Sequence, residues 1–141
     1  MRRFTRPLDL GCGSGILALA IAATWRRPVL AADIDPVAVT VARANARVNR
    51  LTPLVRVLRS DGLAARGLHR RYDLITANIL ARPLVELSAA IRRRLLPGGV
   101  AILSGLLAGQ ENMVRAAYRR QGLRLERRFA IAGWNTLVVT R

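Results

Sequence analysis

Asp9 and three alternating glycines, Gly11, Gly13 and Gly15, form the heptad Asp-Leu-Gly-Cys-Gly-Ser-Gly, set between a short apolar run and a longer one of helical character. Glycine accepts positive φ and has no Cβ to obstruct a ligand, so this spacing lets a strand turn sharply into a helix. Unpaired amides at the helix start then face whatever lies above the turn. Asp33 closes the run Val29-Leu30-Ala31-Ala32-Asp33, 22 residues after Gly11. There a carboxylate accepts both hydroxyls of a ribose. Asp61, in Ser60-Asp61-Gly62, is placed to accept from the exocyclic amine of an adenine. Ile34 and Gly62 complete the set expected at the cofactor.

Gly13-x-Gly15-x-x-Ala18 also fits a loose dinucleotide fingerprint. A pyrophosphate needs an open helix amino end, and Asp9 would stand beside it as a like charge. S-adenosylmethionine has a sulfonium and an ammonium and no phosphate, so it suits Asp9 better. Asn78 ends Tyr-Asp-Leu-Ile-Thr-Ala-Asn and can orient an incoming amine, although a side-chain amide is no base. A lysine acceptor is only about 0.04% neutral at pH 7. It must therefore arrive deprotonated or lose its proton by desolvation, with water or a backbone group accepting it.

Strands are expected near Pro7 to Leu10, Pro28 to Asp33, Leu54 to Arg59, Tyr72 to Asn78, Val100 to Ser104, Leu123 to Ile131 and Thr136 to Thr140. Four helices are expected between them: Ser14 to Trp25; Pro36 to about Asn49, with Asp35 as N-cap; about Arg82 to the residues before Pro97-Gly98-Gly99; and Gln110 to Gln121. Strands alternating with helices give a parallel α/β sheet, whose ligand crevice lies beyond the strands' carboxyl ends. Asp9, Asp33, Asp35, Asp61 and Asn78 fall at such ends, although the chain has only 8 acids. The connection around Ala132-Gly133 is too short for a crossover helix, so the last two strands should form an antiparallel hairpin.

The length of 141 residues and 52% hydrophobic content fit a single globular domain, residues 1–141. The apolar run Ile16 to Trp25 is shorter than the ~17 to 25 residues that span a bilayer. Arg2, Arg3 and Arg6 ahead of an apolar stretch imitate a secretory signal, but Asp9 and the glycines interrupt it, and a glycine turn accounts for them. The single cysteine, Cys12, fits a reducing cytoplasm and reads as a small filler of the turn. Neither Cys12 nor the lone His69 has a catalytic partner in sequence, and no metal site is expected. All 24 basic residues are arginine and the net charge is +16. Such a field favours weak contact with RNA. A general use of arginine on solvated helix faces, such as Arg43, Arg47 and Arg50, explains the excess equally well.

Taken together, Asp9 to Gly15, Ala32 to Pro36, Asn45 to Asn49, Asn78 to Leu84, Leu96 to Gly99 and Leu103-Ser104-Gly105 resemble the PrmA family of ribosomal protein methyltransferases. The resemblance runs from Leu8 to the end. It implies a class I S-adenosylmethionine-dependent methyltransferase fold: Rossmann-like, with a mostly parallel seven-stranded sheet and a terminal antiparallel hairpin. It implies methyl transfer to lysine and amino-terminal amines of the eleventh protein of the large ribosomal subunit. By position, Gly11, Asp33 and Asn78 look like cofactor contacts, with Asn78 also bordering the acceptor. Family members carry an amino-terminal recognition domain and a segment closing over the cofactor; this chain begins one strand too late for both, so a catalytic domain alone is expected. An RNA methyltransferase, and a cofactor-binding module without turnover, remain alternatives.

Overall fold

The computed structural model describes residues 3–141; Arg2, part of the basic start noted above, lies outside them. The strands are β1 (Pro7–Leu10), β2 (Val29–Asp33), β3 (Val55–Arg59), β4 (Tyr72–Asn78), β5 (Leu95–Leu107), β6 (Arg124–Ile131) and β7 (Trp134–Thr140). The helices are α1 (Ile16–Trp25), α2 (Pro36–Val48), α3 (Ala81–Arg94) and α4 (Glu111–Arg120). The seven strands form one sheet in the order β3-β2-β1-β4-β5-β7-β6. The first five pair in parallel, while β7 runs antiparallel to both β5 and β6.

This is the expected class I methyltransferase architecture. Strand order reverses between β1 and β4, which opens a crevice at their carboxyl ends. Each face of the sheet carries its own core. One is built on Leu8, Ile75, Leu84, Ile91, Leu103 and Tyr118, beneath α3 and α4. The other joins Ala18 and Ala22 of α1 to Ala42 and Ala46 of α2 over Ala31 and Val57. Alanines on facing helices let the backbones approach closely above the glycine turn.

Several boundaries differ from expectation for local reasons. Helix α1 begins at Ile16 rather than Ser14 because Gly15, at φ +84°, is its left-handed N-cap. Helix α3 begins at Ala81, with Leu80 as N-cap. Strand β5 starts at Leu95, before Pro97-Gly98-Gly99, because Tyr72 already pairs with Leu95 and the register shift to Leu74–Val100 absorbs the proline and glycines. It also extends past Ser104 to Leu107, where it meets Trp134, so β7 starts two residues earlier than expected. Ala132 and Gly133, both at positive φ (51° and 81°), close the hairpin in the primed two-residue turn that matches strand twist. Single 3-10 turns at Arg66–Leu68 and Ala108–Gln110 carry no periodicity that would announce them.

The hairpin is tied to α4 through Glu111, which is buried and accepts from Arg128 Nε and from Asn135 Nδ2. Arg128 is half exposed, so its charge is screened, and the buried amide of Asn135 is the partner with most at stake. Replacing Glu111 by Ala should lower stability by about 1–3 kcal/mol in urea denaturation, because Asn135 loses its buried acceptor. A variant as stable as the parent would show that the Glu111 contacts do not hold the hairpin.

Candidate functional site

The crevice holds a cavity of about 500 Å³, a size suited to a cofactor, open at the carboxyl ends of β1, β2 and β4. One wall is Gly11, Asp33 and Ile34; Asp61 and Gly62 form the end; Ile79, Leu80, Pro83 and Leu87 close the other side. Ile34 and Leu80 are 58% and 74% exposed. Large side chains left open to solvent beside a cavity suit an apolar ligand surface.

The Asp33 carboxylate is the polar centre of this wall. Gly13 N–H donates to its Oδ2 at 2.8 Å and Asp35 N–H to its Oδ1 at 3.0 Å. Each oxygen keeps a lone pair for a further donor. Asp35 itself caps α2 by accepting from Val37 N–H, as its place before Pro36 suggests. Ser60 accepts from Ala65 N–H and donates to Gly62 O, which fixes the turn carrying Asp61.

The glycines have distinct duties. A Cβ at Gly11 would lie 2.3 Å from the Ile79 side chain, so Gly11 sets the closeness of β1 to the far wall. One at Gly15 would lie 3.1 Å from Ala42 Cβ, so Gly15 lets α1 pack on α2. Gly13 faces open space and is required only by its φ of +53°.

Asp9, expected beside the cofactor, does not reach the cavity. It is 1% exposed, and its carboxylate accepts from Ala18 N–H at 3.1 Å and from Thr76 Oγ1 at 2.9 Å. It therefore fixes the turn from within, by tying the start of α1 to β4. Burial, partly offset by these two hydrogen bonds, raises its pKa to about 6. Gly13 and Gly15 likewise shape the turn without lining the cavity, whereas Gly11, Asp33, Ile34, Asp61 and Gly62 do line it. Asn78 is exposed at the end of β4, one residue before the wall formed by Ile79 and Leu80. Its Oδ1 is 2.8 Å from where a Cβ on Gly105 would stand, so Gly105 keeps its space open. Cys12 is buried, and burial, with Asp9 and Asp33 nearby, pushes its thiol up to about 12, so it stays protonated and unreactive.

Pro83, Glu86 and Leu87 were not expected in the wall. They come from the first turns of α3, brought over the cavity by the β4–α3 crossover. The signal available was the amphipathic start of α3 directly after Asn78. Among the described residues, no helix is long and apolar enough to cross a membrane.

A family model described as ribosomal protein L11 methyltransferase (PrmA) matches residues 2–141. A ribosomal protein L11 methyltransferase of Bradyrhizobium diazoefficiens is 48% identical over 141 residues, covering 99% of this chain and 48% of the relative. The chain spans about half the length of the curated relatives it matches. The crystal structure of a ribosomal protein L11 methylase from Lactobacillus delbrueckii subsp. bulgaricus superposes with a TM-score of 0.92 at 29% identity, covering all of this chain and 71% of that one. An RNA methyltransferase from Salinibacter ruber, solved with S-adenosyl-L-homocysteine, gives 0.77 at 21% identity over 96% of this chain and 80% of that one, a likeness of fold.

Because the folded pKa of Asp9 lies above the ordinary carboxylate value of 3.8, the stability tied to its protonation is fully present below about pH 4 and lost as pH rises through about 6. Asn at this position can accept from Ala18 N–H through its carbonyl oxygen and donate its amide to Thr76 Oγ1, whose hydroxyl then turns to Leu8 O, all without the buried charge. The stability of Asp9→Asn relative to the parent should therefore rise between pH 4 and 7 and then level off, as read by urea denaturation across that range. A difference independent of pH would place the titration elsewhere.

Proposed function

This chain belongs to the ribosomal protein L11 methyltransferase family, and from that premise we propose that residues 1–141 act as a catalytic domain. It transfers methyl groups from S-adenosylmethionine to lysine and amino-terminal amines of a large-subunit ribosomal protein, in a cytoplasmic setting. The observation that carries the proposal is the Asp33 carboxylate at the rim of the cavity, locked by Gly13 N–H and Asp35 N–H with lone pairs to spare.

The residues present fit this cofactor. Asp33 would accept from the ribose hydroxyls, Asp61 from the adenine amine, and Ile34, Leu80 and Leu87 offer apolar surface to the base. Gly11 keeps β1 close to Ile79 and Gly62 keeps its turn close to Leu87, where a Cβ would lie 2.3 and 2.7 Å from those side chains, so the two walls hold their spacing. Asp9, Gly13 and Gly15 serve the cofactor indirectly, by holding the shape of the turn. When bound, S-adenosylmethionine supplies an electrophilic methyl group on a sulfonium.

At the acceptor side, Asn78 orients the amine through its carbonyl oxygen, which accepts an N–H and directs the nitrogen lone pair. Ile79 and Leu80 exclude water, and desolvation lowers the pKa of the acceptor ammonium so that its proton leaves to solvent. No side chain at the end of β4 is a strong base, so acceleration comes chiefly from positioning two reactants at close range. Gly105 preserves the room that Asn78 needs. The arginine excess extends the reading to weak contact with RNA.

Two variants separate the roles. Asp33→Ala should weaken S-adenosylhomocysteine binding at least tenfold in titration calorimetry; unchanged affinity would remove Asp33 from the cofactor site. Asn78→Ala should lower the rate of methyl incorporation into the ribosomal protein by roughly 10²-fold, since it disturbs orientation. Its cofactor affinity should change far less. An equal loss of both would make Asn78 a cofactor residue and no more.

A further inference from the structure

A second cleft, of about 230 Å³, lies between α4, the start of β6 and the end of β7, lined by Arg115, Arg119 and Arg124 around Tyr118, Leu125 and Val139. Arg124 pairs with Thr140, Thr140 with Val100, and Val100 with Leu74. The cleft is therefore level with the amino-terminal halves of the parallel strands, at the pole away from the Asp33 cavity. More arginines gather there. Arg92 Nε donates to Gln121 O at the end of α4, and Arg141, which follows Thr140, donates to Leu95 O. Arg141 is held below its ordinary pKa, first by desolvation and then by the like charges of Arg92 and Arg71.

Carboxylates do not answer these charges. None lines the cleft, and the ion pairs among the described residues, Arg82–Glu86 and Arg128–Glu111, lie elsewhere. Asp73 is taken by the Thr5 and Arg6 amides, and Glu126 is exposed outside the cleft. Arg115 and Arg119 stand one helical turn apart, a like-charge spacing that destabilises an isolated helix by a few tenths of a kcal/mol. Asp33, Asp35, Asp61 and Glu86, by contrast, sit at or beside the cofactor cavity, so the molecule is electrically polarised.

Guanidinium forks match phosphate oxygens bidentately, and the pair Arg115 and Arg119, joined by Arg124 and continued across the pole by Arg92, Arg71 and Arg141, suits a repeating polyanion better than a single carboxylate. We propose that this cleft seats a phosphate of an RNA backbone, with Arg115, Arg119 and Arg124 as its ligands and Arg92 and Arg141 drawing the strand toward it. This places RNA at the pole opposite the methyl-transfer site, as an anchor for the protein and not as the methyl acceptor. It deepens the RNA contact suggested by composition and stands whether or not methyl transfer is confirmed.

The test is fluorescence anisotropy with a labelled mixed-sequence RNA of about 20 nucleotides over a series of KCl concentrations. The variant Arg115→Gln/Arg119→Gln/Arg124→Gln should bind at least tenfold more weakly at about 100 mM salt, with the slope of log affinity against log salt reduced by about 2. The variant Arg27→Gln/Arg47→Gln/Arg56→Gln removes the same formal charge from exposed positions away from the cleft and should lose less than threefold. Equal losses in the two triples would reduce the effect to net charge and overturn the proposal, as would no loss in the first. Displacement of the RNA by polyglutamate at equal charge concentration would reassign the cleft to acidic peptides. Thermal melting by circular dichroism reports folding, and should the cleft triple fail to fold, the single substitutions carry the same comparison at two- to threefold each.

Discussion

Everything at the cofactor end depends on the hydrogen bond from Gly13 N–H to the Asp33 carboxylate. It joins the middle of the glycine turn after β1 to the end of the neighbouring strand β2, so two loops distant in sequence form one wall. A second carboxylate works from the other side of the turn: Asp9, buried beneath it, fastens the Ala18 amide in the first turn of α1 and the hydroxyl of Thr76. Two acids thus hold one glycine turn, one facing the cavity and one facing the core. The inner one is costly, since a buried carboxylate is stable as an anion only to the extent that its donors replace water.

Sheet order turns this local arrangement into a site. With β1 between β2 and β4, the glycine turn, Asp33 and Asn78 are brought to one edge by parallel pairing alone. The crossover from β4 then lays α3 over the gap, adding Pro83 and Leu87 as a roof. The cavity is polar where Asp33 and Asp61 stand and apolar where Ile34, Ile79 and Leu80 stand, the division a nucleoside requires. The charge distribution follows the same axis, with acids near the cavity and unpaired arginines at the far pole.

The fold was largely legible because its signals are local: alternating apolar runs, Pro36 after Asp35, and a connection of two residues at Ala132-Gly133. Boundaries were missed where a tertiary partner overrides the local rule. Pro97 and two glycines read as a turn, yet pairing with Tyr72 draws Leu95 into the strand ahead of them. Asp33 and Asp61 line the cavity as their places at strand ends suggest. Asp9 was placed beside the cofactor because sequence gives its distance from the glycines but not the face on which a strand residue points. The roof from α3 was missed because the amphipathic start after Asn78 announces a helix but not its place over the cavity, which only the crossover sets.

The central claim is that the cavity between Gly11, Asp33 and Leu80 is where S-adenosylmethionine binds. Amide chemical shifts of the nitrogen-15-labelled protein, followed during titration with S-adenosylhomocysteine, address it directly. Saturable shifts concentrated at Gly11, Gly13, Asp33, Ile34, Asp61 and Leu80, with little change along β6, are the expected result. Absence of saturable shifts, or shifts centred on residues outside this wall, would contradict it.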